Sequence, residues 1–219
     1  MVTLHILTYQ KIGTPPKNTL LSREWTSLKR LTRTLDKIKK RGWPVVSPGQ
    51  ILDGKITTDS VLLLFLDGYR SFYTEAYPLL GARGWAACVC LPTACIGGHN
   101  RWQDPHRESW QDLLSWEEIK ILGKDAHISF GAQALNREDL SLLPPEQARY
   151  AAQESVFRLA KNLPRPPQLF AFSPAQKIVK NPTEILPDFD GLMIFADKVM
   201  LKNPSVTIKI KRGNSWWGL

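Results

Sequence analysis

Cysteine and histidine are scarce in this 219-residue chain, with three Cys and four His. Three cysteines cannot all pair, and Cys88 and Cys90 stand two apart on an apolar run, where both side chains share a strand face and are badly placed to bridge. A disulfide-built scaffold is thereby excluded, a reducing compartment fits, and Cys88, Cys90 and Cys95 are expected to pack as small hydrophobes. His99, His106 and His127 follow no compact ligand spacing, so they are read as scattered residues and not as a metal centre. Long apolar runs are missing as well. The longest, residues 61–66, falls far short of the ~20 residues needed to cross a bilayer, and no transmembrane helix is expected. Residues 1–10 lack the basic start and longer apolar stretch of a signal peptide. A cytoplasmic location is the expectation, with a leader already removed left open. Internal repeats, low-complexity linkers and nucleic-acid motifs are absent too.

The composition, 43% hydrophobic and 22% charged, lies near globular averages, and the length suits one domain over residues 1–219 with a substantial core. With 29 Lys and Arg against 20 Asp and Glu, the net charge is +9, which favours anionic partners by long-range attraction. The charge is densest over residues 23–41, where Arg23, Lys29, Arg30, Arg33, Lys37, Lys39, Lys40 and Arg41 face only Glu24 and Asp36. Such a run is ordinarily a solvated helix face; the alternative is a basic module for an acidic partner, marked by steep salt dependence.

Short apolar runs alternate with helix-like segments, the pattern of parallel strands joined by crossover helices. The runs are 4–9, 45–47, 61–66, 87–92, 127–132, 169–172, 191–195 and 207–210, and their continuous apolarity suits strands buried on both faces. In the first helix Trp25, Leu28, Leu31, Leu35 and Ile38 form an apolar stripe, with Ser22 as cap and Gly42 as stop. Further helices are expected over 71–82, 116–123 and 146–162. Residues 96–114, carrying Gly97-Gly98, read either as a binding loop or as a loose insertion.

Specific residues go further than periodicity. Leu64-Phe65-Leu66-Asp67-Gly68-Tyr69-Arg70-Ser71-Phe72 resembles the Thr-Phe-Asp-Asp-Gly-Tyr segment of polysaccharide deacetylases, the NodB-homology domains of carbohydrate esterase family 4. Ala76-Tyr77-Pro78-Leu79-Leu80, Gly84, Leu91-Pro92-Thr93-Ala94-Cys95-Ile96-Gly97-Gly98 and Asn100-Arg101-Trp102 follow in the family's order. Residues 4–13 are similar to the opening Tyr-His strand, and Leu114-Ser115-Trp116-Glu117-Glu118-Ile119 to the helix before the second motif. The resemblance implies an α/β fold, a distorted (β/α) barrel with its site at the carboxyl ends of the strands.

It also implies a chemistry that this chain has largely lost. Active members hold zinc through the second Asp of the first motif and two His of a His-x-x-x-His motif, and use the preceding Asp as base. Here Asp67 keeps the ligand position and Leu66 stands where the base belongs, an alkyl group that cannot accept a proton. The second motif reads Gly131-Ala132-Gln133-Ala134-Leu135-Asn136-Arg137-Glu138-Asp139-Leu140, with Gln133 and Arg137 in place of both histidines. Gln133 offers a weak carbonyl donor, and Arg137 a permanent cation where a metal would sit. Tyr9-Gln10 replaces Tyr-His, a later motif survives only as Phe170-Ala171-Phe172-Ser173-Pro174, and no histidine follows His127 to serve as the late acid.

Neither a catalytic set nor a metal site is therefore expected, and no cofactor. The expected cleft comprises Gln10, Asp67, Gln133, Arg137 and Asp139. Arg137 is expected to fill the metal position and pair with Asp67; the competing outcome leaves Arg137 in solvent and Asp67-Gly68 as a turn with a helix cap. The reading is a catalytically impaired, deacetylase-like protein of a bacterial glycan pathway that binds carbohydrate or a partner protein. The alternative is an active hydrolase removing acetyl groups through a site rearranged around Asp67, Asp139 and residues 96–114. Trp216-Trp217 can stack on sugars, lie at a membrane interface or pack on the barrel.

Overall fold

The computed structural model describes residues 2–172 and 183–194, together with the backbone of 182, 199–200 and 207–212. Along the chain run β1 (Thr3–Tyr9), β2 (Lys11–Ile12), β3 (Trp25–Thr26), α1 (Leu28–Arg41), α2 (Pro48–Leu52) and β4 (Ser60–Phe65). After these come α3 (Tyr77–Gly81), β5 (Ala87–Leu91), α4 (Trp116–Leu122), β6 (Ile128–Ala132), α5 (Pro145–Asn162) and β7 (Leu169–Ala171). The last described elements are α6 (Pro182–Ile185), β8 (Leu192–Ile194), β9 (Val199–Met200) and β10 (Thr207–Arg212). Among the described residues eight strands form one sheet in the order β10-β1-β4-β5-β6-β7-β8-β9, parallel throughout except for the antiparallel pair β8 and β9.

Two apolar clusters flank this sheet because successive strand side chains point to opposite faces. Leu7, Tyr9, Leu63 and Phe65 join Leu31, Leu35 and Ile38 of α1 on the helix-covered face. Leu4, Ile6, Leu62, Leu64, Leu66, Cys88, Cys90, Leu169 and Ile194 fill the opposite, inner face, with Val46, Ile51 and Ile56 around α2. Burial on both faces explains why the strands read as unbroken apolar runs. A curved parallel sheet with helices outside and its own core inside is the distorted (β/α) barrel expected from the sequence.

That inner face is tight at β6. A Cβ added to Gly131 would lie 2.7 Å from the Cys90 Sγ and 2.9 Å from the Leu169 carbonyl oxygen. Backbone cannot retreat as a side chain can, so Gly131→Ala is expected to cost ~1–3 kcal/mol, measured by denaturant unfolding.

Several boundaries differ from the sequence reading. Ser22 does not cap α1; it begins a single 3₁₀ turn, and Ser27 is the cap, accepting from the Arg30 N–H at 3.3 Å. Trp25 is drawn out of the helix because β3 pairs with β2 and its indole N–H reaches Glu108. Gly42 closes α1 as expected, at φ 66°. Residues 45–47 contribute only a bridge from Val45 to Val61, since Ser47 is taken up as the N-cap of α2 in a reciprocal capping box with Gln50. The helix over 71–82 begins as a widened π turn, Phe72–Ala76, before α3. Pro78 lacks the N–H that would bond four residues back, and the wider turn accommodates it.

Residues 96–114 are not a loose insertion. Gly97 N–H donates to the Leu114 carbonyl at 2.8 Å, Leu113 to Gly98 at 2.9 Å and Asn100 to Gln111 at 3.2 Å, which folds the segment back on itself. No described helix is long and apolar enough to cross a membrane.

Candidate functional site

The site is built where the strands end. One residue beyond β4 the Leu66 N–H donates to the Tyr9 carbonyl, and its side chain joins the inner core. Asp67 and Gly68 then both turn left-handed, at φ 70° and 64°. Asp67 is fully buried. Gln10, just past the adjacent β1, and Gln133, just past β6 on the far side of β5, converge on it.

Every donor that meets this carboxylate is accounted for by chemistry. The Gln10 Nε2 donates to Oδ2 at 2.7 Å, and the Gln133 Nε2 to Oδ1 at 3.0 Å. The Gln133 Oε1 in turn accepts from the Asp67 backbone N–H at 2.8 Å. That amide orientation is forced, because a backbone N–H only donates and a carboxylate only accepts. The Arg137 Nε donates to Oδ1 at 2.5 Å, forming a nearly buried ion pair. Arg137 is itself left-handed at φ 62°, so the pair consists of the two non-glycine residues with positive φ among the described ones. For L-residues that backbone costs about 1–2 kcal/mol each, and it is held here because both partners are fixed. The guanidinium carbon also lies 5.2 Å from the centroid of the Trp102 ring, whose edge meets Tyr69. Burial alone would raise the Asp67 pKa, but the Arg137 charge and the bonds from Arg137, Gln10 and Gln133 outweigh it and hold the carboxyl below its usual range.

A second buried cluster supports this floor and was not singled out in the sequence. Lys11 is fully buried, with its ammonium on Glu108 and 3.1 Å from the Glu24 carboxylate. Glu108 also receives the Trp25 indole N–H at 2.7 Å and the Thr19 hydroxyl. Burial pushes the Glu108 pKa up, and the bonds from Lys11, Thr19 and Trp25 more than reverse that. The Lys11 Nζ lies 5.3 Å from the Tyr69 ring centroid, so the two clusters share a wall. One ladder of residues, 96–114, thus brings Trp102 to Arg137 and Glu108 to Lys11.

Among the described residues Asp139 makes no hydrogen bond to Asp67. Its carboxylate caps the turn Leu140–Leu142, accepting from the Ser141 N–H at 3.0 Å. Nor does Asp67 cap a helix, since its oxygens are spent on Gln10, Gln133 and Arg137. His99 and His127 face Asp112 and Asp125 separately, at 3.2 and 3.1 Å. Phe170 and Phe172 meet edge to face beside β7, while Ser173, Pro174 and Trp216-Trp217 lie outside the described residues.

The residues present do not fit zinc. Among the described residues no three of His, Cys, Asp and Glu cluster as ligands. The Gln133 carbonyl is committed to a backbone N–H, and a guanidinium occupies the carboxylate that a cation would need.

The sequence profile described as polysaccharide deacetylase matches residues 53–183. The chain belongs to that family. A curated relative, the poly-beta-1,6-N-acetyl-D-glucosamine N-deacetylase of Escherichia coli K12, is 27% identical over 130 residues, 57% of this chain. The match spans only 16% of that relative's length. Among solved structures, a Streptococcus pyogenes deacetylase in complex with acetate superposes with a TM-score of 0.76 at 17% identity, over 95% of this chain and 91% of that one. IcaB from Ammonifex degensii gives a TM-score of 0.76 at 20% identity, over 99% and 96%. At such identities the structures establish the deacetylase barrel as the fold. The family assignment rests on the profile, and the motif order read from the sequence agrees with it.

Proposed function

We propose that this member of the polysaccharide deacetylase family binds a glycan of a bacterial pathway and does not deacetylate it. One observation carries the reading: the Arg137 guanidinium sits on the Asp67 carboxylate, where the family resemblance puts the metal. A glycan rich in N-acetylglucosamine is the first candidate, because the curated relative is named for acting on one.

The residues at the strand ends support binding without turnover. Leu66 presents an alkyl group to the inner core and cannot take a proton from water. Asp67 is held ionised by three donors, so it is spent as an anchor and is not free to act as base. Gln10 and Gln133 fix that anchor, and Trp102 offers a partly exposed aromatic surface beside it.

Incubation with acetylated chitooligosaccharides, assayed for acetate, tests the proposal. The expected result is no release above the buffer control together with measurable binding by calorimetry. Acetate release that survives chromatography and disappears in Asp67→Asn would overturn it. A complementary gain of function is also expected. Gln133→His with Arg137→His should recover some zinc affinity, because two imidazoles and a carboxylate form a sound ligand set. Turnover should still lag, since each missing proton-transfer role is worth ~10²–10⁴-fold. Zinc titration and acetate assay of the double variant check both halves.

A further inference from the structure

We propose that Arg137 is a receptor for a carboxylate-bearing sugar, so that the glycan bound at this site contains a uronic acid. The inference rests on the glycan-binding reading and adds the chemical class of the unit held at the strand ends.

Arg137 meets Asp67 in a way that leaves most of its donors unused. Gln10 occupies Oδ2 and Gln133 shares Oδ1, so the guanidinium engages the carboxylate through Nε alone. Among the described residues Nη1 and Nη2 make no hydrogen bond, which leaves four N–H donors in one plane. The Arg137 side chain is 17% exposed while Asp67 is wholly covered, so the pair is rooted in a buried carboxylate and open to solvent only on the arginine side. Trp102 lies against the guanidinium and the left-handed backbone fixes its root. The receptor is therefore pre-ordered, and little freedom is lost when a ligand binds.

A planar fork of parallel N–H donors matches the two oxygens of a carboxylate. A neutral acetyl carbonyl or hydroxyl would use only part of it, without the second charge. Of the charges around it, Glu24 acts on Arg137 but is paired with Lys11, and the loop that carries Trp102 also carries a cation. Arg101 is exposed beside Trp102 and makes no ion pair among the described residues; its guanidinium lies 5.7 Å from the Trp110 ring centroid. Glu138, next to Arg137, turns its carboxylate onto the Asn136 N–H and side-chain amide, at 2.7 and 2.8 Å. The net charge of +9 steers anionic polymers toward the chain.

The test uses three tetrasaccharides in calorimetry with the full chain. They are a hyaluronan tetrasaccharide carrying glucuronate, its carboxyl-reduced form with glucose at the same positions, and chitotetraose. The hyaluronan fragment is expected to bind at least about tenfold tighter than its reduced form, and Arg137→Gln to abolish that preference. Equal affinity for the acidic and reduced forms would overturn the uronate inference while leaving glycan binding in place. Binding of none of the three would overturn the glycan-binding reading itself. Should Arg137→Gln fail to fold, NMR of the wild-type protein decides. The Arg137 Nε–H and Trp102 indole N–H resonances should move on addition of the acidic tetrasaccharide, and their failure to move would overturn the proposal.

Discussion

Arg137→Ala is expected to lower folding stability by about 3–5 kcal/mol at neutral pH, because it strands the Asp67 carboxylate without a cation in a fully buried position. An exposed pair would lose only ~0–1 kcal/mol, so the size of the effect reports the burial. The pH dependence has a defined sign. In the native chain the Asp67 carboxyl is held below its ordinary value of 3.8, so its contribution is complete above that value and is lost as pH falls through the lowered one. Without Arg137, burial dominates and the folded-state value rises above the unfolded one. That carboxyl then contributes most below 3.8 and loses its contribution as pH rises through the raised value. The gap between the two proteins should therefore be smallest in acid and widen toward neutrality. Urea unfolding of both at several pH values measures it, and a gap that does not change with pH would remove Asp67 as the group responsible.

Glu108→Ala should have a loss of similar size, about 3–5 kcal/mol, for a related reason. It leaves the Lys11 ammonium buried with Glu24 alone and strips the acceptor from the Trp25 indole and the Thr19 hydroxyl. Glu108→Gln should cost less, since an amide oxygen still accepts hydrogen bonds. Lys11→Met alone should also be costly, whereas Lys11→Met combined with Glu108→Gln should recover much of the loss, because no buried charge remains at the pair and the Glu24 carboxylate, 27% exposed, keeps access to water. A double-mutant cycle reads this as a coupling above about 1 kcal/mol, and strictly additive losses would show that the two groups do not act together.

The sheet was legible because its strands are buried on both faces, and nothing polar interrupts a run such as Ser60–Phe65 except its first residue. Helix starts were less so. Ser22 and Ser27 are equally good caps in isolation, and only the pairing of Trp25 with Lys11 across strands decides between them. The Asp67 and Arg137 pair was legible from position within two ordered motifs, whereas the reciprocal bonds of Gln133 were not, since they depend on the left-handed turn at Asp67. Asp139 illustrates the opposite case, where motif position suggested the cleft and a local turn claims the carboxylate. The Lys11 and Glu108 pair spans 97 residues, and no local pattern in either segment announces it. Its partners meet because residues 96–114 fold back over the barrel mouth, a tertiary event.

A buried carboxylate such as Asp67 needs a cation, and a guanidinium held at 2.5 Å takes that place in preference to a metal. Elemental analysis of the purified chain, after equilibration with excess zinc and removal of the unbound ion, tests this most directly. Far less than one zinc per chain is expected, with no thermal stabilisation by added zinc, because a ligand that binds only the folded state must stabilise it. About one tightly held zinc per chain, lost in the Asp67→Asn variant, would contradict it.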